Sequence, residues 1–459
     1  MNQTHAPQHR EQQPSISRGL RELLLLFVTF LVLGAESRPT CNKADAEAAK
    51  PNILLLVADD LGYADLGCYG CKDIRTPNLD RLAEQGVRLT DFYTSAPVCS
   101  PTRASLMTGR YPQRFGFELA IGYREKSRGL PAKGASLPSL LHKRGYATAL
   151  YGKWHLGYEK QFGPNAHGFD DFFGFLGPDL DYYTHLTALG EPGLYANTKL
   201  TEEKGYMTDL ITEHALAYLK RTTQKPFFLE VAYSAPHFPF QSPDRPDDRR
   251  TLFTYGRELG TRRDYVKMVE RVDEGIGKLL AALDKTGRGR DTLVIFLSDN
   301  GGERLSDNAP FFHGKNSLWE GGIRVPCILR WPAMLPPKTV SRQPTIVMDL
   351  AASMLVAGGA SLPEGTPDGE DLVPLLSGKK PARERTFCWR LPRPNEYFGQ
   401  MAVRRGRWKY IYDRESELLF DLEKDSSEKR NVAFQHPDEI HALRAALAEW
   451  ESRLPAVKP

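Results

Sequence analysis

The sequence predicts an α/β sandwich on a sheet of parallel type, completed by a small antiparallel sheet with a closing helix. Three observations predict it. Ile53-Leu54-Leu55-Leu56-Val57 and Leu293-Val294-Ile295-Phe296-Leu297 are unbroken apolar runs, the pattern of strands buried on both faces. Strand-like and helix-like segments alternate over residues 51–380. After Leu376-Ser377-Gly378 and the basic stretch Lys379 to Arg385, the texture changes to short strand-like segments.

In chain order, the apolar run Leu23 to Leu33 follows Arg18 and Arg21 and precedes Gly34-Ala35. It is short for a membrane span and reads as a signal peptide cleaved near Ala35 rather than as an uncleaved N-terminal anchor, the alternative, which makes residues 1–35 a leader and the chain exported, either secreted or periplasmic. Residues 36–50, rich in Ala, Lys, Glu and Asp, read as a disordered lead-in. Asn52 to Ala58 is the first buried strand. Pro77 to Gln85 reads as a helix stopped by Gly86, and Val87 to Tyr93 as a strand. Ser100 suits an N-cap and Pro101 a first helical position, so a helix opens at Cys99 and stops at Gly109. Ser136 to Arg144 is a helix closed by Gly145, Tyr146 to Leu150 a strand, Tyr206 to Lys220 a helix and Phe227 to Ala232 a strand. Arg263 to Leu283 is a long helix with an apolar stripe, and Thr292 to Leu297 the next buried strand. Thr386 to Trp389, Met401 to Val403, Trp408 to Tyr412 and Leu418 to Asp421 read as the small sheet, and Glu439 to Arg453 as the closing helix. A boundary near residue 380 divides a domain over 51–380 from a small α+β unit over 381–459.

A formal net charge of +4 is spread over 459 residues, with no basic stripe interleaved with aromatics, so nothing argues for nucleic acid. Six cysteines are present. With Cys99 set aside, Cys41, Cys68, Cys71, Cys327 and Cys388 form an odd remainder, which argues against a disulfide framework. Cys68 and Cys71 have redox or zinc spacing but no matching second pair, and read as structural.

The chemistry concentrates in a few places. Cys99 sits at a helix start, where unpaired N–H groups and the helix dipole hold anions, and Arg103 lies one turn on along the same face. A buried cysteine near a helix cap is the plainer reading of Cys99 alone. Asp59 and Asp60 end one buried strand, and Asp299 and Asn300 end another. Ligands gather at the carboxyl ends of strands in open α/β sheets, and four oxygen ligands suit Ca²⁺ or Mg²⁺ rather than zinc. An Asp after a strand ordinarily caps the next turn. Two such pairs, with Gly301-Gly302 after the second, favour a metal. Lys153 and His155 follow a strand after Gly152, His237 stands between prolines after another, and Lys315 lies in a Gly-lined loop where it can reach an anion. Each is weak alone.

Cys99-x-Pro101-x-Arg103, followed by Thr108-Gly109-Arg110, resembles the signature of type I sulfatases, and the other groups match that family in order and spacing from Pro51 onward. The resemblance is to the arylsulfatase and N-acetylgalactosamine-6-sulfatase group. It implies an alkaline-phosphatase-like α/β/α sandwich with a large mixed central sheet. It also implies that a maturation enzyme of the secretory route oxidises Cys99 to formylglycine (3-oxoalanine), and a lysosomal location in a eukaryote. A Ca²⁺ site from Asp59, Asp60, Asp299 and Asn300, contacted by the modified Cys99, is implied too, with Mg²⁺ the less favoured ion. Arg103 would stand beside the formylglycine, and Lys153, His155, His237 and Lys315 around the sulfate. The expected reaction is hydrolysis of a sulfate monoester through a covalent sulfo-enzyme. His155 would serve as base, and His237 or Lys315 as acid. Cys71 departs from the Gly frequent in relatives. Thr76 to Asp80 and His167 to Asp170 are family-like stretches that read as scaffold. The expected partner is a sulfated small molecule or carbohydrate. Asp179-Leu180-Asp181-Tyr182-Tyr183 and His185 offer either sugar contacts or loop packing. The rival readings are a phosphonate or phosphate ester hydrolase of the same superfamily, and a non-catalytic sulfated-glycan binder with unmodified Cys99.

Overall fold

Runs that are apolar at every position become strands only where both faces are covered. The computed structural model describes Met1 and residues 50–132, 135–221, 225–245, 260–360, 368–392 and 399–455. In it the two runs are β1 (Asn52–Ala58) and β9 (Thr292–Ser298). Between them lie β2 (Val87–Leu89), β3 (Phe92–Tyr93), β4 (Ala147–Lys153), β5 (Asp171–Phe175), β6 (Leu194–Ala196), β7 (Lys199–Leu200) and β8 (Phe227–Ala232). β10 (Cys327–Arg330), β11 (Thr339–Ser341) and β12 (Thr345–Ile346) follow. A 10-stranded sheet has the order β11-β2-β10-β9-β1-β8-β4-β5-β6-β7. Its middle, β9-β1-β8-β4-β5, is parallel. Antiparallel pairings flank it on both sides, so the sheet is mixed. The register sets Ala58 opposite Ser298, and Val57 and Gly152 opposite Ala232. The strands that precede Asp59 and Asp299, and the one that ends in Lys153, therefore finish at one edge.

Helices cover both faces. α1 (Pro77–Glu84), α4 (Met207–Arg221) and α5 (Arg262–Lys285) bury Leu79, Ile211 and Ile276 with Leu54 and Leu56 of β1. α2 (Cys99–Thr108), α3 (Leu137–Lys143) and α7 (Val347–Ala357) bury Leu106, Leu141 and Leu350 with Leu55 and Val57. This alternation along β1 is the period-2 signature of a sheet between two helical layers. α6 (Glu320–Ile323) and α8 (Val373–Leu376) are short.

The C-terminal 4-stranded sheet, β13 (Thr386–Leu391), β14 (Gln400–Arg405), β15 (Trp408–Asp413) and β16 (Ser416–Asp421), is an antiparallel meander closed by α9 (Pro437–Ser452). Trp389, Val403, Ile411 and Leu419 join the core on the α2 face. The fully buried Lys409 of β15 fixes this sheet to α6, its Nζ lying 2.8 Å from Glu320 and 2.8 Å from Glu428.

Several expectations are corrected. Helix α2 begins at Cys99 itself, Val98 holds the N-cap position, and no side chain caps it. Ser100 instead accepts a hydrogen bond from the Ile121 N–H, 3.1 Å away. Pro101 is accommodated because first-turn N–H groups have no intrahelical partner. The strand expected over Val87 to Tyr93 is broken at Thr90-Asp91, whose polar groups bind Arg324 and Arg404, so β2 joins the large sheet and β3 pairs with β12. The strand expected over Tyr146 to Leu150 runs on as β4, since Gly152 and Lys153 still pair with β5, and Lys153 ends it rather than following it. The leader and lead-in, apart from Met1 and Lys50, and Cys41 lie outside the described residues. Among the described residues no helix is long and apolar enough to cross a membrane. The chain divides into two compact units, Met1–Ala49 and Lys50–Pro459, and every element above belongs to the second.

Candidate active site

Two strand ends are tied together first. Leu61, just past β1, donates its N–H to Ser298 Oγ at 3.0 Å, and that hydroxyl donates to the Asn300 carbonyl at 2.8 Å. Asp60 is held at φ 62°, a left-handed conformation that Asp tolerates better than most residues. Its Oδ1 accepts from Asn300 Nδ2 at 2.7 Å, and its N–H points at Asp299 Oδ1, 3.4 Å away. A Cβ on Gly301 would lie 1.8 Å from the Gly321 carbonyl oxygen, so only glycine lets the chain leave the site against α6.

Three buried or nearly buried cations answer these carboxylates. Arg103, one turn into α2, donates from Nε to Asp299 Oδ2 at 2.9 Å and from Nη1 to the Lys153 carbonyl at 3.0 Å. Lys153 Nζ is hydrogen-bonded to Asp59 Oδ2, both side chains being fully buried. Lys315 Nζ lies 2.6 Å from Asp60 Oδ2. Burial works against the charge on each cation. The carboxylates overcome it: Asp299 and Asp59 hold Arg103 above its ordinary pKa, Asp59 does so for Lys153, and Asp60 for Lys315. Burial and then repulsion from Asp299 push Asp59 up to about 7, against the pull of Lys153.

Cys99 is buried, with Sγ 3.4 Å from Asp59 Oδ1. Burial, reinforced by Asp59, keeps its thiol protonated well above the usual range, so the unmodified side chain is a poor nucleophile. His155, at φ 57°, turns out of β4 with its Nε2 2.9 Å from the Ile121 carbonyl oxygen. Only a protonated nitrogen can face a carbonyl, so Nδ1 carries the lone pair. It is buried and has no partner. Burial and the charge of Lys153 hold His155 neutral to well below its ordinary pKa. His237 approaches from the other side, with Nε2 3.5 Å from Asp60 Oδ2 and Nδ1 2.7 Å from the Phe238 carbonyl oxygen.

The oxygen donors of Asp59, Asp60 and Asn300 fit a hard cation. Asp59, Asp60, Cys99 and His237 each offer a ligand atom, all within 4.8 Å of one another. Asn300 Oδ1 is buried without a hydrogen-bond partner while its Nδ2 serves both Asp60 and the Gly301 carbonyl, which fixes the amide's orientation. An orphaned amide oxygen beside crowded carboxylates is what an oxygen-seeking divalent ion satisfies. The residues expected in the site, Asp59, Asp60, Cys99, Arg103, Lys153, His155, His237, Asp299, Asn300 and Lys315, meet here, with two differences from the expected ligand set: Asp299 Oδ2 is engaged by Arg103, and His237 stands within ligand distance.

Two features escaped the sequence reading. The Ile121 backbone joins Ser100 of α2 to His155, which no spacing pattern encodes. Glu230, inside the apolar run of β8, is fully buried with Oε2 unpartnered, and burial raises its carboxyl to about 7 against the pull of Arg103. A charge within such a run is the signal that exposes it. Of the loop Asp179 to His185, the structure shows packing roles. Tyr182 donates to the His237 carbonyl at 2.9 Å, and Asp181 holds Gln241 Nε2 at 2.9 Å. Tyr183 donates to the Ser242 carbonyl at 2.7 Å. Cys68 and Cys71 are free thiols, and Thr76, Asp80 and Asp170 brace loops, as scaffold residues do.

A family model described as Sulfatase matches residues 51–360, and one described as the C-terminal part of N-sulphoglucosamine sulphohydrolase matches residues 310–453. Steryl-sulfatase of Mus musculus is 32% identical over 547 aligned positions, covering 92% of this chain and 85% of that protein. N-acetylgalactosamine-6-sulfatase of Canis lupus familiaris is 36% identical, covering 80% of this chain and 72% of its own length. Among solved structures, Ps i-CgsB in complex with k-i-k-neocarrahexaose superposes with a TM-score of 0.82 at 33% identity, covering 89% of this chain and 94% of that one.

Proposed function

Because the chain belongs to the sulfatase family, we propose that it hydrolyses sulfate monoesters of carbohydrates at the cluster around Cys99, with that cysteine converted to formylglycine by a maturation enzyme. The observation that carries this reading is the meeting of Cys99, Asp59, Asp60 and Asp299 with Arg103, Lys153 and Lys315, beside the bare Nδ1 of His155. Three carboxylates and three cations balance, so a divalent ion leaves a positive surplus, which an anionic ester answers. The relatives named for N-acetylgalactosamine-6-sulfatase and the neocarrahexaose in the solved neighbour support a sugar as the carrier of the sulfate.

Formylglycine supplies a hydrated aldehyde as nucleophile, whose second hydroxyl allows sulfate to be expelled without water attacking sulfur. Asp59, Asp60, Asp299 and Asn300 would hold Ca²⁺, with Cys99 and His237 at its margin, and the ion supplies charge to the sulfate oxygens. Four protein oxygens suit Ca²⁺ better than Mg²⁺, which keeps most of its water. Lys153 and Lys315 bind and orient the sulfate from either side of Cys99, and Arg103 fixes Asp299. His237 or Lys315 protonates the departing alcohol oxygen. His155 Nδ1 takes the proton from the nucleophile's second hydroxyl as sulfate is released. Its neutral state at mild pH is what that step requires.

Turnover of 4-nitrophenyl sulfate, compared with a 4-nitrophenyl phosphonate, tests the reaction class. Sulfate ester turnover at least tenfold faster is expected, and preference for the phosphonate would replace the reading with its phosphonate-hydrolase rival. Treatment with EGTA should lower both activity and Tm, with Ca²⁺ restoring both more fully than Mg²⁺. Persistence of activity after exhaustive chelation would remove the metal from the account. We also propose that residues 51–380 form the catalytic domain and 381–459 a subdomain, and that the chain is exported behind residues 1–35.

A further inference from the structure

Lys315 stands in a loop whose backbone has to be held in place. His313 and Asn316, on either side of it, sit at φ 59° and φ 67°, a left-handed conformation that persists in residues with a side chain only where the surroundings enforce it. The loop is tied at three points around Lys315. The Lys315 N–H donates to the Gly302 carbonyl at 3.2 Å, across the loop's neck. The Asn316 N–H donates at 3.0 Å to the carbonyl of Pro97, which lies just ahead of Cys99 and α2. The Leu318 N–H donates to Gln400 Oε1 at 2.8 Å. The first two acceptors are backbone. The third is a side chain, reaching in from the first residue of β14 in the C-terminal sheet. Gln400 is 2% exposed and Leu318 is fully buried, so losing this bond leaves a buried N–H unpaired. The amide's orientation is fixed by its other arm, since Nε2 donates at 2.7 Å to Asp413 Oδ2 at the end of β15. The same sheet holds the next two residues. Trp319 packs on Phe420 of β16, with ring centroids 5.4 Å apart, and the Glu320 N–H donates to Glu428 Oε2 at 2.6 Å. Leu318 to Glu320 are thus anchored to the C-terminal sheet, and Asn316 to the entrance of α2. Lys315 stands beside both anchors, its Nζ 2.6 Å from Asp60 Oδ2.

We propose that Gln400 is a positioning residue for the reaction, which sets the reach of Lys315 toward the sulfate by holding the Leu318 N–H. The proposal rests on the reading of Lys315 as a group that binds sulfate. A lysine carries its charge at the end of a flexible four-carbon stem, so the place of that charge depends on where the backbone stands. Displacing such a group by about 1 Å costs up to about a hundredfold in rate. Both arms of Gln400 are taken, by Leu318 and Asp413, so it acts through Lys315 rather than on the substrate. The C-terminal sheet then takes part in sulfate binding without touching the sulfate.

Gln400→Met keeps the bulk and removes the acceptor. Gln400→Asn keeps an amide but withdraws it by one methylene, and serves if Gln400→Met does not fold. The test is a double-mutant cycle with Lys315→Ala, read on two quantities. One is the calorimetric Kd of inorganic sulfate for the mature protein. The other is kcat and KM on 4-nitrophenyl sulfate, whose leaving group departs with little need for a proton. Gln400→Met is expected to weaken sulfate binding and raise KM by about tenfold, with kcat within about threefold of wild type. In the Lys315→Ala background the same substitution should change either quantity by less than about twofold. Tm should fall in both backgrounds, and a residue with only a structural role would show that fall alone, or an equal loss of function with and without Lys315. Either of those results overturns the proposal. No turnover of any sulfate ester by mature wild type would sink the sulfatase reading instead. The sulfate Kd then decides the role of Gln400: weaker binding that depends on Lys315 sustains it, and absent or unchanged binding overturns it.

Discussion

The ring of His155 is fixed by one hydrogen bond: with Nε2 on the Ile121 carbonyl, Nδ1 is left as a base with nothing else to serve. His155→Ala should lower kcat about 10²–10⁴-fold on sulfate esters while leaving Tm within a few degrees, measured by steady-state kinetics and melting. A variant retaining more than a tenth of wild-type kcat would remove it from proton transfer. Glu230 makes the opposite kind of statement. Burial raises its carboxyl from 4.5 to about 7, so the folded chain keeps a proton there that the unfolded chain has lost. The folded state therefore loses stability as pH rises from 4.5 to about 7, and the whole penalty is present above that. Glu230→Gln should stabilise the protein by about 3 kcal/mol at pH 8 and by little at pH 4.5, read from denaturant melts. A gain independent of pH would contradict this assignment.

At the scale of elements, a reading from sequence succeeds where one physical rule dominates. β1, β8 and β9 are apolar at nearly every position, and their ends fall where the run meets polar residues; the pairs Asp59-Asp60 and Asp299-Asn300 were legible for that reason. The short strands at the sheet's sides were not, because β5, β6, β7, β10 and β11 have two to five residues each and owe their existence to neighbours rather than to pattern. Ser100 was misread as a cap because its side chain serves Ile121, a contact between segments distant in sequence. The same holds for the ion cluster on β15. Lys409, Glu320 and Glu428 look like ordinary surface charges in sequence but are buried together, with Tyr93 2.6 Å from Glu320 Oε2. Glu320 starts α6, which closes the loop bearing Lys315, so the C-terminal sheet braces a residue of the site. Lys409→Met should leave buried Glu428 without its cation, while Glu320 keeps Arg324 at 3.1 Å, and cost about 3–5 kcal/mol by denaturant unfolding. A cost under about 1 kcal/mol would mean that carboxylate simply takes up a proton.

For the whole molecule, the mixed sheet gathers carboxyl ends of parallel strands at one edge and lets residues from distant parts of the chain meet there, so Cys99 lies against Asp59 while Lys153 and Lys315 flank the pair. The resemblance carried in Cys99-x-Pro101-x-Arg103 named the reaction. Burial and Asp59 hold the Cys99 thiol protonated, so the unmodified side chain is a poor nucleophile, which supports the proposed conversion to formylglycine. The central claim is thus the chemical state of one side chain. The most direct test is mass spectrometry of the tryptic peptide spanning Cys99, from protein produced with a formylglycine-generating enzyme and shown to hydrolyse 4-nitrophenyl sulfate. The account predicts a peptide about 18 Da lighter than the cysteine form, the change from thiol to aldehyde. Finding only the thiol in that active preparation would contradict it.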